Sequence, residues 1–159
     1  MGAMKRAATT LISTTVLAAC NHAVPVPALD IAETTFRYQI SHSDAAQANP
    51  ALTACLGFDN ARLETRNPPP ELISRLRYVR ASAKPWTECS WLSGKVVDRL
   101  SGEQAIIFTV GVPKCSGDSS CQIDGGYQLG NLGSSRETFF LEKRGAEWIV
   151  VKNMLRTIA

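Results

Sequence analysis

Ser41-His42-Ser43-Asp44 holds all three residue types of a serine-hydrolase triad. In a triad the histidine takes the proton of the serine and the aspartate orients the histidine, so the three side chains must converge on one point. Triads are assembled from separate elements, and neighbouring residues rarely converge in this way. The chain also has no Gly-x-Ser-x-Gly motif to expose a nucleophile on a sharp turn. The segment therefore predicts a polar loop, and we assign no catalytic residue.

Two acidic pairs flank predicted turns: Asp98 with Glu103, and Asp118 with Asp124. Carboxylates that act together on a glycosidic bond must lie roughly 5–9 Å apart in space, and these spacings do not indicate that they do. We expect all four to be solvated loop residues.

Gly125, Gly126, Gly130 and Gly133 suggest a glycine-rich phosphate cradle. They match neither G-x-G-x-x-G nor a P-loop with its lysine. Because they lie among strand signals, bulges and tight turns are their expected use.

Besides Cys20, the chain has four cysteines: Cys55, Cys89, Cys115 and Cys121. An even number in an exported chain predicts two disulfides, and four cysteines allow three pairings. We favour Cys55–Cys89 and Cys115–Cys121, since the small residues between the second pair can turn tightly. No Cys-x-x-Cys is present and both histidines are distant in sequence, so we expect no metal site.

Residues 62–84 contain a local excess of basic side chains, with Glu64 and Glu71 as the only acids. The basic residues are Arg62, Arg66, Arg75, Arg77, Arg80 and Lys84. The planar arginine fork suits phosphate and carboxylate groups. Arg75, Arg77, Arg80 and Trp86 are therefore a candidate docking surface for an envelope protein or an anionic polymer. A solvated helix face is the plainer alternative.

Trp86 and Trp91 flank Cys89. Tryptophans can anchor an interface, but we expect these two to pack in the core around the disulfide.

The first twenty residues have the layout of an export signal. Lys5 and Arg6 precede a short apolar stretch that ends before Leu17-Ala18-Ala19-Cys20. That tetrapeptide resembles the lipobox of bacterial lipoproteins. The resemblance implies cleavage before Cys20 and a diacylglyceryl group on its thiol. An unmodified Cys20 after a plain secretory signal is the alternative. The apolar stretch is too short for a spanning helix, which needs roughly 20 residues.

Asn21 would be the second mature residue. Aspartate at this place often signals inner-membrane retention in lipoproteins, so asparagine favours the outer membrane, facing the periplasm. We divide the chain into a signal (1–19), a lipidated tether (20–29) made extended by Pro25 and Pro27, and one domain (30–159).

The mature chain is nearly neutral. Lys5 and Arg6 leave with the signal, so 15 of the 17 basic side chains remain against 14 acids, a net charge of +1. This balance does not indicate nucleic acid as a partner.

The apolar pattern predicts an α+β domain. Asp30 as N-cap and Glu33 in capping-box spacing predict a helix over Ile31–Ile40, and the prolines before Glu71 predict a second over Glu71–Tyr78. Ala51–Phe58 predicts a strand. Alternation from Gly94 onward predicts five more: Lys95–Arg99, Ala105–Val112, Gln122–Leu129, Glu137–Glu142 and Trp148–Leu155. We expect an antiparallel β-meander of five to six strands covered by one or two short helices.

The domain is also similar to small uncharacterised exported proteobacterial proteins. The matching features are Phe36-Arg37-Tyr38, the proline-rich helix start, Gly125-Gly126-Tyr127 with Gly130-Asn131-Leu132, and a last strand from Trp148. This resemblance implies the fold and no activity; cystatin-like and NTF2-like folds share the order of elements by analogy. We expect a lipid-anchored, non-catalytic binding or accessory module without a cofactor. The alternatives are an inhibitor of a secreted hydrolase, similar to lysozyme inhibitors, and an NTF2-like ligand-binding domain.

Overall fold

Three α-helices and ten β-strands make up the computed structural model over the residues that it describes, 26–59 and 64–158. The helices are α1 (Val26–His42), α2 (Asp44–Ala48) and α3 (Pro70–Leu76), and a 3₁₀ turn covers Trp86–Glu88. The strands are β1 (Thr53–Asp59), β2 (Thr65–Arg66), β3 (Ala83–Pro85), β4 (Cys89–Leu92), β5 (Lys95–Asp98), β6 (Ala105–Val110), β7 (Lys114–Ser116), β8 (Ser120–Gln128), β9 (Ser134–Arg144) and β10 (Glu147–Ile158). The expected signal, Cys20 and the expected tether before Val26 lie outside the described residues.

Eight strands form one sheet in the order β10-β9-β8-β6-β1-β2, with β3 also on β1 and β7 also on β8. The α+β class is confirmed, and β6, β8, β9 and β10 follow the predicted antiparallel alternation. A pure meander is wrong, because β1 pairs parallel with both β6 and β3. Parallel neighbours need a long crossover connection, and the chain between β1 and β6 supplies it.

The strand predicted at Lys95–Arg99 does not belong to this sheet. It is β5, and it pairs with β4 in a separate two-stranded hairpin. The β4 strand was not predicted, because four residues after a 3₁₀ turn are too few to show an alternation.

The sheet separates two apolar cores. On one face, Ile31, Phe36 and Ile40 of α1 and Leu72, Ile73 and Leu76 of α3 pack on Leu56, Phe108 and Phe139. On the other face, the β4–β5 hairpin covers a smaller core of Cys55, Cys89, Val96, Ala105 and Ile107. Since side chains alternate along a strand, β1 and β6 contribute to both cores.

The first helix begins earlier than predicted. It starts at Val26, so Asp30 lies inside α1 and is not its N-cap, and an extended tether cannot run to residue 29. Pro27 is compatible with this start because the first helical turn needs no hydrogen bond from its nitrogen. Glu33 accepts from Arg37 and pairs with Arg75 at 3.1 Å, and it forms no capping box. None of the described helices is long and apolar enough to cross a membrane.

Both favoured disulfides are present, Cys55–Cys89 and Cys115–Cys121. The first does not join a helix to the sheet. Cys89 begins β4, so the bridge fastens the β4–β5 hairpin to β1 on the face opposite α1. The second closes the hairpin between β7 and β8.

Candidate functional site

A cleft of about 230 Å³ opens between the end of α1, the start of α2 and strands β8 to β10. It forms at the segment predicted to be a polar loop. Ser43 instead caps α2, since its hydroxyl accepts from the Ala46 amide at 3.3 Å, and Ala45 and Ala46 are buried. This short helix turns the chain, so that His42 and Asp44 line the cleft from one side.

The strand register supplies the opposite wall. Ser135, Glu137 and Phe139 alternate along β9, so they share the face that α1 covers. On β10, Asn153 is paired with Phe139 and Leu155 with Glu137. Residues nearly a hundred positions from α1 in sequence therefore meet it across the cleft.

Gln39 is the polar residue of the cleft with the most unusual environment. Its side chain is 4% exposed, and Nε2 donates to the Thr109 carbonyl at 3.1 Å. Its Oε1 atom is buried and accepts no hydrogen bond from any described residue. The contact with a carbonyl fixes the amide orientation, because a flipped amide would set oxygen against oxygen. A buried acceptor without a donor is unfavourable by about 1–3 kcal/mol.

Glu137 is held by neutral donors. The Ser135 hydroxyl donates to Oε1 at 3.1 Å and the Asn153 amide donates to Oε2 at 2.6 Å. The Tyr38 hydroxyl in turn donates to Oδ1 of Asn153 at 3.5 Å. Within the described ranges neither Glu137 nor Asp44 takes part in an ion pair.

The aromatic side of the cleft is ordered by α1. The rings of Tyr38 and His42 stack with centroids 4.2 Å apart, and Nδ1 of His42 lies 3.0 Å from the Tyr38 carbonyl, which requires Nδ1 to be the donor. Burial raises the pKa of Tyr127, and the negative charges of Asp44 and Glu137 raise it further. The phenol therefore stays protonated at neutral pH.

The lining of the cleft thus includes Gln39, whose buried oxygen has no donor among the described residues, and the two carboxylates of Asp44 and Glu137. Among the residues that the structure describes, no lysine or arginine lines it. In residues 26–59 and 64–158, no group of three or more His, Cys, Asp or Glu side chains is placed to hold a metal ion. The arrangement suits a donor-bearing small molecule.

The candidate docking residues do not form one surface. Arg80 is 9% exposed, and its guanidinium donates to the carbonyls of Leu52 and Asn49 at 2.8 Å, so it holds the α2–β1 connection together. Arg75 pairs with Glu33 on α1. Arg77 donates to the Ala83 carbonyl at 3.1 Å. Placing Arg80 on a surface was wrong, because the carbonyls of Ala46, Asn49 and Leu52, where the chain turns from α2 into β1, bind the guanidinium inside the protein.

Trp86 lies on the far face of the sheet from α1, in a second cleft of about 190 Å³ with Trp91, Asp59, Gln128 and Arg136. Core packing around the disulfide was a wrong expectation for Trp91, which is 47% exposed. Short aliphatic side chains fill the space around Cys55 and Cys89 instead.

One of the acids and two of the glycines differ from expectation. Asp98 is not solvated: it is 3% exposed and accepts from Lys84 at 2.7 Å. The carboxylate of Asp124 accepts from Thr138 at 2.6 Å. Gly125 and Gly126 lie inside β8 rather than in a bulge or turn. They permit close approach, Gly125 to the Gln39 amide and Gly126 to the Ser135 carbonyl.

We did not predict Gln39, Tyr127, Glu137 or Asn153 as site residues, and we expected His42 and Asp44 in a loop. One signal was present. Gln39 lies three residues after Phe36, so it falls on the apolar face of α1, where a polar residue needs a reason. The other residues carry no local signal, because only the sheet register brings them to α1.

No family model matches the chain, and no curated protein matches its sequence. Among solved structures, the chain is similar to an NTF2-like protein of unknown function from Shewanella baltica OS155. The two are 10% identical, the match covers 81% of this chain and 90% of that one, and the TM-score is 0.35. A likeness at this level carries no argument about ligand or activity.

Proposed function

We propose that this protein is a non-catalytic binding module that holds a small polar molecule in the cleft between α1–α2 and β8–β10. We further propose that lipid on Cys20 anchors it in the cell envelope, at the periplasmic face of the outer membrane. The observation that carries the binding proposal concerns Gln39, a residue of the cleft lining, whose Oε1 atom is buried and has no donor among the described residues. A ligand donor placed there would remove an unfavourable state of the empty protein.

The size of the cleft supports a small occupant. Pockets for drug-sized ligands have volumes of roughly 300–1,000 Å³, and this one has about 230 Å³. The serines of the lining also favour binding over catalysis. Ser43 caps α2 and the Ser135 hydroxyl donates to Glu137, so neither is paired with His42 as a nucleophile would be.

Ligand-observed NMR with a panel of small amides, alcohols and amines tests the binding proposal on the mature domain. We expect hits whose affinity falls about tenfold in Gln39→Leu, because the acceptor is lost. Gln128→Leu is the matched control, since that glutamine lines the second cleft, and it should leave the affinities unchanged. A panel without hits, or hits indifferent to Gln39→Leu, would overturn the proposal.

Inhibition of a secreted hydrolase is a second candidate, favoured by the β7–β8 hairpin. Every residue from Lys114 to Ser120 is exposed, and the Cys115–Cys121 bridge closes the hairpin. A rigid exposed loop suits insertion into a cleft of a partner enzyme because little conformational entropy is lost on binding. Assays of lysozyme and other wall hydrolases with added protein test this candidate. Inhibition that survives Cys115→Ala/Cys121→Ala would contradict it.

A further inference from the structure

We infer that the cleft between α1–α2 and β8–β10 selects a small organic cation, an ammonium group on a short apolar body. This inference rests on the proposed binding function and names the class of its ligand. It combines the buried, unpartnered Gln39 oxygen with the unbalanced charge and the aromatic rings of the same cleft.

The charge of the lining is negative on both walls. Asp44 stands on the helical wall and Glu137 on the strand wall, and no lysine or arginine of the described part of the chain lines the space between them. The hydrogen bonds to Glu137 come from Ser135 and Asn153, which are neutral and leave its charge in place. A carboxylate oxygen accepts more than one hydrogen bond, so Glu137 can still receive a charged donor.

The hydrogen-bond acceptors of the cleft also favour an ammonium group. An ammonium group carries several donors and no acceptor. Gln39 lines the cleft and has one buried oxygen that accepts no hydrogen bond from the described residues, and Glu137 and Asp44 offer two charged partners. Charge-assisted hydrogen bonds are roughly twice as strong as neutral ones, so a cation gains more here than an alcohol of the same shape.

The aromatic rings of the cleft can contact both the apolar body and the charged group of such a ligand. Tyr38 stacks on His42, and its ring meets Phe139 edge to face with centroids 5.8 Å apart. Cations are attracted to aromatic faces within about 6 Å. The raised pKa of Tyr127 agrees with this picture, since both carboxylates contribute to it.

An anionic ligand fits poorly. It would lie between two carboxylates, and like charges at short range repel. Three donors of the lining are already directed within the protein: Tyr38 to Asn153, and Asn153 and Ser135 to Glu137.

Isothermal titration with three molecules of one carbon skeleton tests the inference: 3-methylbutylammonium, 3-methylbutanol and 3-methylbutanoate, at neutral pH and low salt. We expect the cation to bind about tenfold more tightly than the alcohol, and the anion not to bind. Glu137→Gln and Asp44→Asn should each weaken the cation about fivefold and leave the alcohol unchanged. Asp118→Asn, on the exposed β7–β8 turn, is the matched control and should change neither affinity.

Asp44→Asn keeps the test decisive if Glu137→Gln does not fold, because Asp44 is exposed at the start of α2. Equal affinities for cation and alcohol, both sensitive to Gln39→Leu, would overturn the inference and leave the binding function standing. Cation binding that is indifferent to Glu137→Gln and Asp44→Asn would overturn it as well. Failure of all three molecules, together with a panel without hits, would overturn both proposals.

Discussion

The side-chain amide of Gln39 occupies the space that a β-carbon on Gly125 would need: such an atom would stand 2.5 Å from Nε2. The glycine in mid-strand and the glutamine on the apolar face of α1 are therefore two halves of one arrangement. Neither residue has an evident purpose when it is considered alone.

Gly125→Ala should displace Gln39 and weaken ligand binding as much as Gln39→Leu does. The new methyl group would also approach the Thr109 carbonyl, so we expect a loss of about 1–3 kcal/mol in the free energy of unfolding. Urea unfolding measures that loss. Gly111→Ala is the milder comparison, since its new β-carbon would lie 3.3 Å from the Asp124 carbonyl oxygen, a tight contact but less severe than 2.5 Å. Equal losses in the two variants would contradict the pairing of Gly125 with Gln39.

Asp98 should make the free energy of unfolding decrease as the pH becomes acidic. The hydrogen bond from Lys84 lowers the pKa of Asp98 from 3.8 to about 2 in the folded protein, against the opposing effect of burial. A depressed folded pKa means that the stabilisation is complete above about pH 4 and is lost as pH falls through about 2; it amounts to about 2 kcal/mol. Urea unfolding of the parent and Asp98→Asn across this range should show a difference that vanishes at the acid end.

Lys84→Met provides the complementary measurement. It leaves the Asp98 carboxylate buried without its cation, so at neutral pH we expect a loss of about 3–5 kcal/mol. The loss should shrink in acid, when Asp98 becomes protonated. A loss that is the same at all pH values would show that Lys84 acts through packing alone.

The two disulfides should differ in their effect on stability. Ring closure predicts roughly 3.8 kcal/mol for Cys55–Cys89 and roughly 2.4 kcal/mol for Cys115–Cys121. Cys55 and Cys89 are also fully buried, whereas Cys115 is exposed. Cys55→Ala/Cys89→Ala should therefore lower the free energy of unfolding by about 1–2 kcal/mol more than Cys115→Ala/Cys121→Ala. Equal thermal midpoints would contradict this.

Cys20→Ala should release the protein from membranes. Two or three acyl chains hold a protein stably, whereas one is marginal. Fractionation of cells in high salt tests this, with Cys55→Ala/Cys89→Ala as a cysteine control that keeps the anchor. A Cys20→Ala variant that stays with the membranes would refute the lipid anchor.

Local patterns in the sequence predicted local structure well. The alternation of Ile106, Phe108 and Val110 identified β6, and the short spacing of Cys115 and Cys121 identified a disulfide. Arg80 shows the limit of this reasoning. Its charge predicted a surface position, but the carbonyls that surround it come from residues about 30 positions earlier. The cleft is a product of register between α1 and β8–β10, and no local pattern encodes that register.

The parallel pairing of β1 with β6 has a consequence for the time course of folding. Thr53 pairs with Ala105, so β1 cannot pair with β6 until the ribosome has synthesised the chain beyond residue 105. In contrast, β8, β9 and β10 pair with their immediate neighbours in sequence. Non-local pairing is slow because the chain loses the entropy of closing a long loop before the strand contacts can stabilise it. During synthesis the apolar residues 54–56 therefore stay unpaired for longer than the last strands do. We expect this segment of the nascent chain to be a binding site for chaperones.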